Sequence, residues 1–294
     1  MSDTLGALLR LLELETLEAD LFRGQSQDLG FGALFGGQVL GQALSAATRT
    51  VASDRCAHSL HGYFLRAGDA SHPIVYQVER IRDGKSFATR RVVAVQHGRP
   101  IFNLSASFQV HEPGFDHQDE APEGIAGPEG LLSDHERLLK HAEHIPEPLR
   151  EKLLVDRPVE VREVDPVDPF APRKRPPFKA MWMRAGGELP DDPAVHRYLL
   201  AYASDFGLVG AALYPHAHTW WEREMQVASI DHAMWFHRPV RMDGWLLYVM
   251  DSPSAAGGRG LARGRIFQDG VLVASTAQEG LIRWRGDWPP PARD

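Results

Sequence analysis

The clearest helical periodicity in the chain runs from Asp192 to Gly210. There Val195, Tyr198, Leu199, Tyr202, Phe206 and Val209 recur at three- and four-residue spacings and make one apolar stripe. Asp192 before Pro193 suits a helix start, since the carboxylate can accept a free amide and a proline at the first position gives up no hydrogen bond. Asp205 lies on the edge of this stripe. An ionised carboxylate leaving water costs on the order of several kcal/mol unless it is paired or hydrogen-bonded. Asp205 is therefore either a half-exposed residue near a helix end or a buried one that draws partners from elsewhere in the chain.

Helical patterns also cover residues 3–14 and 36–51, the second rich in small residues that would let a sheet wrap closely. From His58 to Val110 the pattern becomes extended, in segments 58–66, 73–82, 87–96 and 101–110 separated by Gly-Asp, Asp-Gly-Lys and His-Gly-Arg turn signals. This predicts an antiparallel meander following a helix. Residues 111–180 turn polar and proline-rich, with one helical island near 133–155 that opens on the capping-box pair Ser133 and Glu136. Strand patterns return after the Asp205 helix at 228–240, 245–252, 260–268 and 271–284. The predicted organisation has three parts: an N-terminal repeat over 1–112, a connecting segment with a helix over 113–178, and a C-terminal repeat over 179–294 that carries the active site.

The two helix-then-meander units align by arithmetic. Subtracting 172 places Arg238 on Arg66, Phe236 on Phe64, Tyr248 on Tyr76, Arg263 on Arg91, Gln268 on Gln96 and Gly270 on Gly98. Two such halves can join edge to edge, pairing strands that would otherwise be exposed. The expected fold is α+β, with helices packed on one continuous curved antiparallel sheet and function lying between the halves.

Composition narrows the partners. The chain has 294 residues, 43% of them hydrophobic, with a formal net charge of −7. That balance argues against a dedicated binder of nucleic acid or of an anionic membrane, which would favour a basic surface. The basic run RKRPP at 173–177 reads as a solvated linker. The single cysteine, Cys56, excludes an internal disulfide, fits a reducing compartment and reads as a core residue. No apolar run approaches the ~18 residues of a membrane span, and neither a basic-then-apolar leader nor a peroxisomal terminal tripeptide is found, so a cytoplasmic location is expected.

No familiar nucleophile elbow, phosphate-binding loop or zinc-protease motif occurs. His216 and His218 read as a solvent-facing loop rather than metal ligands. His58, His61, His232 and His237, in the first strands of the two meanders, read as hydrogen-bonded residues more readily than as acids or bases. Ser229 corresponds to Ala57 and Gln278 to Ala106, so the shared architecture does not require these polar side chains. With Asp205 they could hold a water molecule: the carboxylate as base, the glutamine setting the angle of attack and the hydroxyl linking the two. Read from the residues alone, the trio is equally a buried network that only fixes packing.

These residues sit in blocks that resemble the acyl-CoA thioesterase II family. The blocks are LFRGQSQDLGFGALFGGQVLGQAL at 21–44, HSLHGYFLRAGD at 58–69, DGKSFATRRV at 83–92, YASDFG at 202–207, SIDHAMWFHRP at 229–239 and DGVLVASTAQEG at 269–280. The resemblance implies a double hotdog fold and hydrolysis of fatty acyl-CoA to fatty acid and CoA; from the residues, no cofactor or metal is assigned. It also implies a catalytic water activated by Asp205, Ser229 and Gln278, the serine standing where the family has threonine or serine, and a homodimer or homotetramer. CoA phosphates would need basic groups, for which Arg90, Arg91, Arg259 and Arg263 are available. Two other readings stay open: a hotdog hydratase or dehydratase, and a non-catalytic acyl-CoA scaffold. The first would use the neighbours Asp231 and His232, which alternate across a strand and would not meet one substrate atom.

Overall fold

A computed structural model describes residues 3–30, 33–145 and 147–290. In the first half, helix α1 (Asp3–Leu12) and the hairpin β1 (Glu15–Glu18) and β2 (Leu21–Gly24) precede helix α2 (Gly36–Thr48). Strands β3 (Arg55–Phe64), β4 (Ile74–Asp83), β5 (Phe87–Gln96) and β6 (Arg99–Val110) then follow. The strands alternate as their sequence does: β5 turns Ala88, Val92 and Ala94 into the core and Thr89, Arg91 and Val93 away from it. The connection contributes α3 (Asp134–Lys140), α4 (Glu147–Leu153) and β7 (Val159–Glu163). The second half is built from β8 (Phe178–Ala185), α5 (Pro193–Ala203), β9 (Met225–Ser229), β10 (Asp231–Phe236), β11 (Leu246–Ala256), β12 (Arg259–Gln268) and β13 (Val271–Trp284).

The thirteen strands form one antiparallel sheet in the order β1-β2-β4-β5-β6-β3-β10-β13-β12-β11-β8-β7, with β9 on β13. The halves join where β10 pairs with β3, Ala233 opposite His61 and Trp235 opposite Ser59. The offset of 172 holds in the register: Tyr76 faces Ala94 as Tyr248 faces Ile266, and Arg91 faces Ser105 as Arg263 faces Ala277. It holds in the turns as well, where His97 and Gly98 take φ of 49° and 71° and Asp269 and Gly270 take 50° and 77°.

Inside the sheet α2 and α5 pack antiparallel, and the glycines of α2 permit that contact. A Cβ on Gly37 would lie 2.1 Å from the Tyr202 carbonyl oxygen and one on Gly41 3.0 Å from that of Tyr198. The small residues thus serve helix on helix as much as helix on sheet. The shared core lies between this pair and the inner face of the sheet, with Leu40, Leu44, Leu199, Leu200, Phe102 and Tyr248 buried in it.

Four features differ from the sequence reading. The α5 helix ends at Ala203 instead of reaching Gly210. Ser204 and Asp205 turn their side chains to tertiary partners, and Gly207 takes a left-handed φ of 65° before a short 3-10 turn at Val209–Ala212. The hairpin β1–β2, the edge strand β7 and its neighbour β8 were not expected: the first three are only four or five residues long, and β8 follows directly on the proline-rich stretch. Cys56 is exposed, because its neighbour Ala57 takes the inward position on β3. The helical island splits into two short helices, the first with the anticipated capping box of Ser133 and Glu136.

The connection is also more than a tether. Its Ala121 and Ile125 cover Leu247, Val249, Phe267 and Leu272 on the outer face of the second half. Gln118 bonds the backbone at Gly270 and Leu272, and Trp182 Nε1 donates to the Ala126 carbonyl.

Candidate active site

Asp205 follows α5 directly, in a turn rather than within the helix. From there its carboxylate reaches the N-terminus of α2, in the other half of the chain, and accepts the Gly37 backbone N–H. The N-cap residue of α2, Phe35, offers no side-chain oxygen, so the carboxylate of Asp205 does what a capping side chain would otherwise do. Space for it exists only because the helix opens on Gly-Gly: a Cβ on Gly36 would lie 2.6 Å from Asp205 Oδ2 and 2.9 Å from the Phe64 ring.

Two strands deliver the partners. Gln278, buried on β13, donates from Nε2 to Asp205 Oδ1 at 2.9 Å and to Ser229 Oγ at 2.6 Å. Ser229, at the end of β9, donates to Asp205 Oδ1 at 3.3 Å. The three residues named from the sequence therefore meet at one carboxylate. Phe35 stacks on Phe206 with ring centroids 5.0 Å apart and meets Tyr202 edge-on at 5.1 Å, so the surroundings are apolar. Asp205 keeps partial contact with solvent, yet desolvation raises its pKa from 3.8 to about 6 despite the three bonds that favour the charged form.

The polar network extends to residues the sequence reading did not single out for the site. His232 Nδ1 lies 3.1 Å from Gln278 Oε1, and its Nε2 lies 3.0 Å from Ser204 Oγ; both residues are buried. A signal for His232 was present, since subtracting 172 places it on Leu60. For Ser204 none was, because the two helices do not share the offset of the strands.

Other candidates have different places. Arg90 is buried and spends its guanidinium on Thr50, the Arg82 carbonyl and Asp83, so it is a packing residue and not a phosphate contact. Arg91, Arg259 and Arg263 are exposed and pair with Glu79, Glu279 and Asp251. His58 and His237 each bond a serine hydroxyl at 2.8 Å, and His61 meets the Trp235 ring edge-on. His216 is exposed, whereas His218 is buried beside Glu222, so they form no ligand pair. Among the described residues, Asp69, His72 and His97 gather three potential metal-ligating atoms on loops of the first half, where Asp69 Oδ2 is within hydrogen-bond distance of both rings. A depression of about 460 Å³ lined by Glu160, Arg184, Gly186, Glu188 and Asp243 includes none of the Asp205 partners.

The fold and site define a hotdog protein with a carboxylate held between two helix-wrapped halves, and a solved hot dog fold protein from Alicyclobacillus acidocaldarius, 18% identical, matches this architecture with a TM-score of 0.74 over 94% of this chain and 98% of that one. Residues 25–109 match the family described as acyl-CoA thioesterase N-terminal domain, and residues 148–281 the family described as acyl-CoA thioesterase. The chain is 47% identical to acyl-CoA thioesterase 2 of Haemophilus influenzae, over 97% of this chain and 99% of that protein. The crystal structure of an acyl-CoA thioesterase II, TesB2, from Mycobacterium marinum is 43% identical and matches with a TM-score of 0.77 over 97% of this chain and all of that one. The chain belongs to the acyl-CoA thioesterase family.

Proposed function

We propose that this protein hydrolyses fatty acyl-CoA to fatty acid and CoA by direct attack of a water molecule activated by Asp205. The observation that carries the reading is the convergence of Asp205, Ser229 and Gln278 at the N-terminus of α2. The names of the relatives support the substrate class. As the water oxygen bonds to the thioester carbonyl carbon, Asp205 takes its proton while Gln278 and Ser229 hold it in line. The tetrahedral oxyanion collapses, the carbon–sulfur bond breaks, and the CoA thiolate takes up the proton Asp205 carries. A backbone amide at the start of a hotdog helix, at its positive end, would suit the developing oxyanion. A carboxyl with a pKa near 6 is ionised at neutral pH and still basic enough to accept a proton.

The hydratase reading is disfavoured by the directions of its two residues. Asp231 accepts the Glu279 backbone N–H at 2.7 Å, whereas His232 turns to Gln278. Action in the cytoplasm, as a homodimer or homotetramer, belongs to the same reading, and light scattering after gel filtration reads the assembly.

Thiol release from saturated acyl-CoA esters of graded length tests the reaction. Wild type is expected to turn over, and Asp205→Asn, Ser229→Ala and Gln278→Ala each to lose about 10²-fold or more in kcat at unchanged circular dichroism. Binding without thiol release would favour the scaffold; full activity in Asp205→Asn would remove Asp205 as the base.

A further inference from the structure

Gln278 helps Asp205 only if its amide presents nitrogen, not oxygen, to the carboxylate. The two orientations occupy the same volume, so packing alone does not choose between them. The carboxylate itself favours the nitrogen, and the other end of the amide is set by what lies beyond Oε1, which is Nδ1 of His232, 3.1 Å away and buried. Burial holds the imidazole neutral by lowering its pKa to about 4, so one ring nitrogen carries a proton and the other accepts. The hydroxyl of Ser204 donates to the Ala201 carbonyl at 2.9 Å and lies 3.0 Å from Nε2, so its single proton has two acceptors within reach.

We propose that Ser204 and His232 are positioning residues that fix the orientation of the Gln278 amide: the Ser204 hydroxyl turns from the Ala201 carbonyl to give its proton to Nε2 of His232, the ring proton then sits on Nδ1 and is donated to Oε1, and Nε2 of Gln278 is turned toward Asp205 and Ser229. The inference rests on the water-activation reading of Asp205. The opposite tautomer would set a ring lone pair against Oε1, and a flipped amide would set its oxygen against the carboxylate; each is a repulsive contact in a buried site.

The first half supplies the control. Leu60 and Ala106 face each other across β3 and β6, and the offset of 172 places His232 on Leu60 and Gln278 on Ala106. The architecture thus closes at this point with two apolar side chains. The polar pair in the second half is not a requirement of the fold.

The test is steady-state hydrolysis of dodecanoyl-CoA by the full chain, comparing wild type, His232→Leu, His232→Asn, Gln278→Ala, the His232→Leu/Gln278→Ala double variant and Asp205→Asn. His232→Leu, which copies the first half, is expected to lower kcat by about 10- to 10²-fold with KM changed less than about twofold. In His232→Asn the side-chain amide can stand near the position of Nδ1, and a donor there is expected to restore most of kcat. Because His232 acts through Gln278, adding His232→Leu to Gln278→Ala should cost no more than about a further twofold. Wild-type kcat in His232→Leu, a parallel rise in KM, or a multiplied loss in the double variant would overturn the proposal. Nitrogen-15 NMR of the wild-type ring checks it without any variant: a proton on Nδ1 supports the relay and one on Nε2 overturns it. Full activity in Asp205→Asn would remove the underlying reading, whereas its loss alongside a wild-type His232→Leu removes only the relay.

Discussion

Asp205 owes its chemistry to groups from both halves of the chain: the Gly37 amide on one side and Ser229 and Gln278 on the other. Burial raises its pKa and these bonds moderate the rise, which sets two expectations. If it is the base, kcat/KM should rise with pH through an apparent pKa near 6 and level off above it; an acid limb near 4 in the pH–rate profile would point to an ordinary exposed carboxylate. The same shift makes stability depend on pH. The folded state holds this proton more tightly than the unfolded chain does, so stability falls as pH rises from about 4 to about 6. Asp205→Asn removes that dependence and should gain on wild type by about 2 kcal/mol across this window, with a constant difference above pH 7, read by denaturant melts at several pH values. His232 contributes nothing to either profile near neutrality, since it already stands neutral there.

The α2 helix does two jobs with one stretch of sequence. Its small residues admit α5, and its Gly-Gly opening leaves room for a carboxylate at its positive end. Gly37→Ala would drive a Cβ against the Tyr202 carbonyl, backbone against backbone, where no side chain can swing aside. The expected cost is about 2–4 kcal/mol in thermal or denaturant melts, together with lost activity as the helix pair separates and Asp205 withdraws. The strands of the two meanders were legible: inward residues such as Ala88, Val92 and Ala94 alternate with outward ones, and Gly-containing turns separate the runs. The helix end at Ala203 was not, because periodicity continues beyond it: Phe206 still packs on the core and Val209 is still buried after the α-helix has ended. Arg90 misleads for a related reason. It sits in an inward position of β5, where a charged residue looks like an outlier until its partners on neighbouring elements are seen.

The two halves share a single sheet, and the joint between β3 and β10 lies at its centre. The connecting segment crosses the outer face of the second half, while its Lys152 pairs with Asp28 in the first at 2.5 Å. A molecule built this way should unfold as one unit, with near- and far-ultraviolet dichroism giving coincident transitions. Ala233→Pro, in the middle of β10 with strands on both sides, removes a ladder hydrogen bond at this joint. It is expected to cost about 3 kcal/mol or more and to lower activity, since the site draws on both halves. Two separate transitions in wild type would contradict the continuous sheet.

Alternation, turn residues and the offset of 172 sufficed for the α+β class and the duplication, because each is written in local spacing or in a comparison of one half with the other; the grouping of Asp205 with Ser229 and Gln278 came from the family resemblance. That comparison worked for the strands since both halves keep the same register. The placement of Asp205 on the opposite half's helix, the two roles of the α2 glycines, the sealing of the outer face by the connection and the Ser204–His232–Gln278 chain were decided by tertiary structure alone. These contacts join residues far apart in sequence, and their energies depend on desolvation and on angstrom-level fit, neither of which any local pattern encodes.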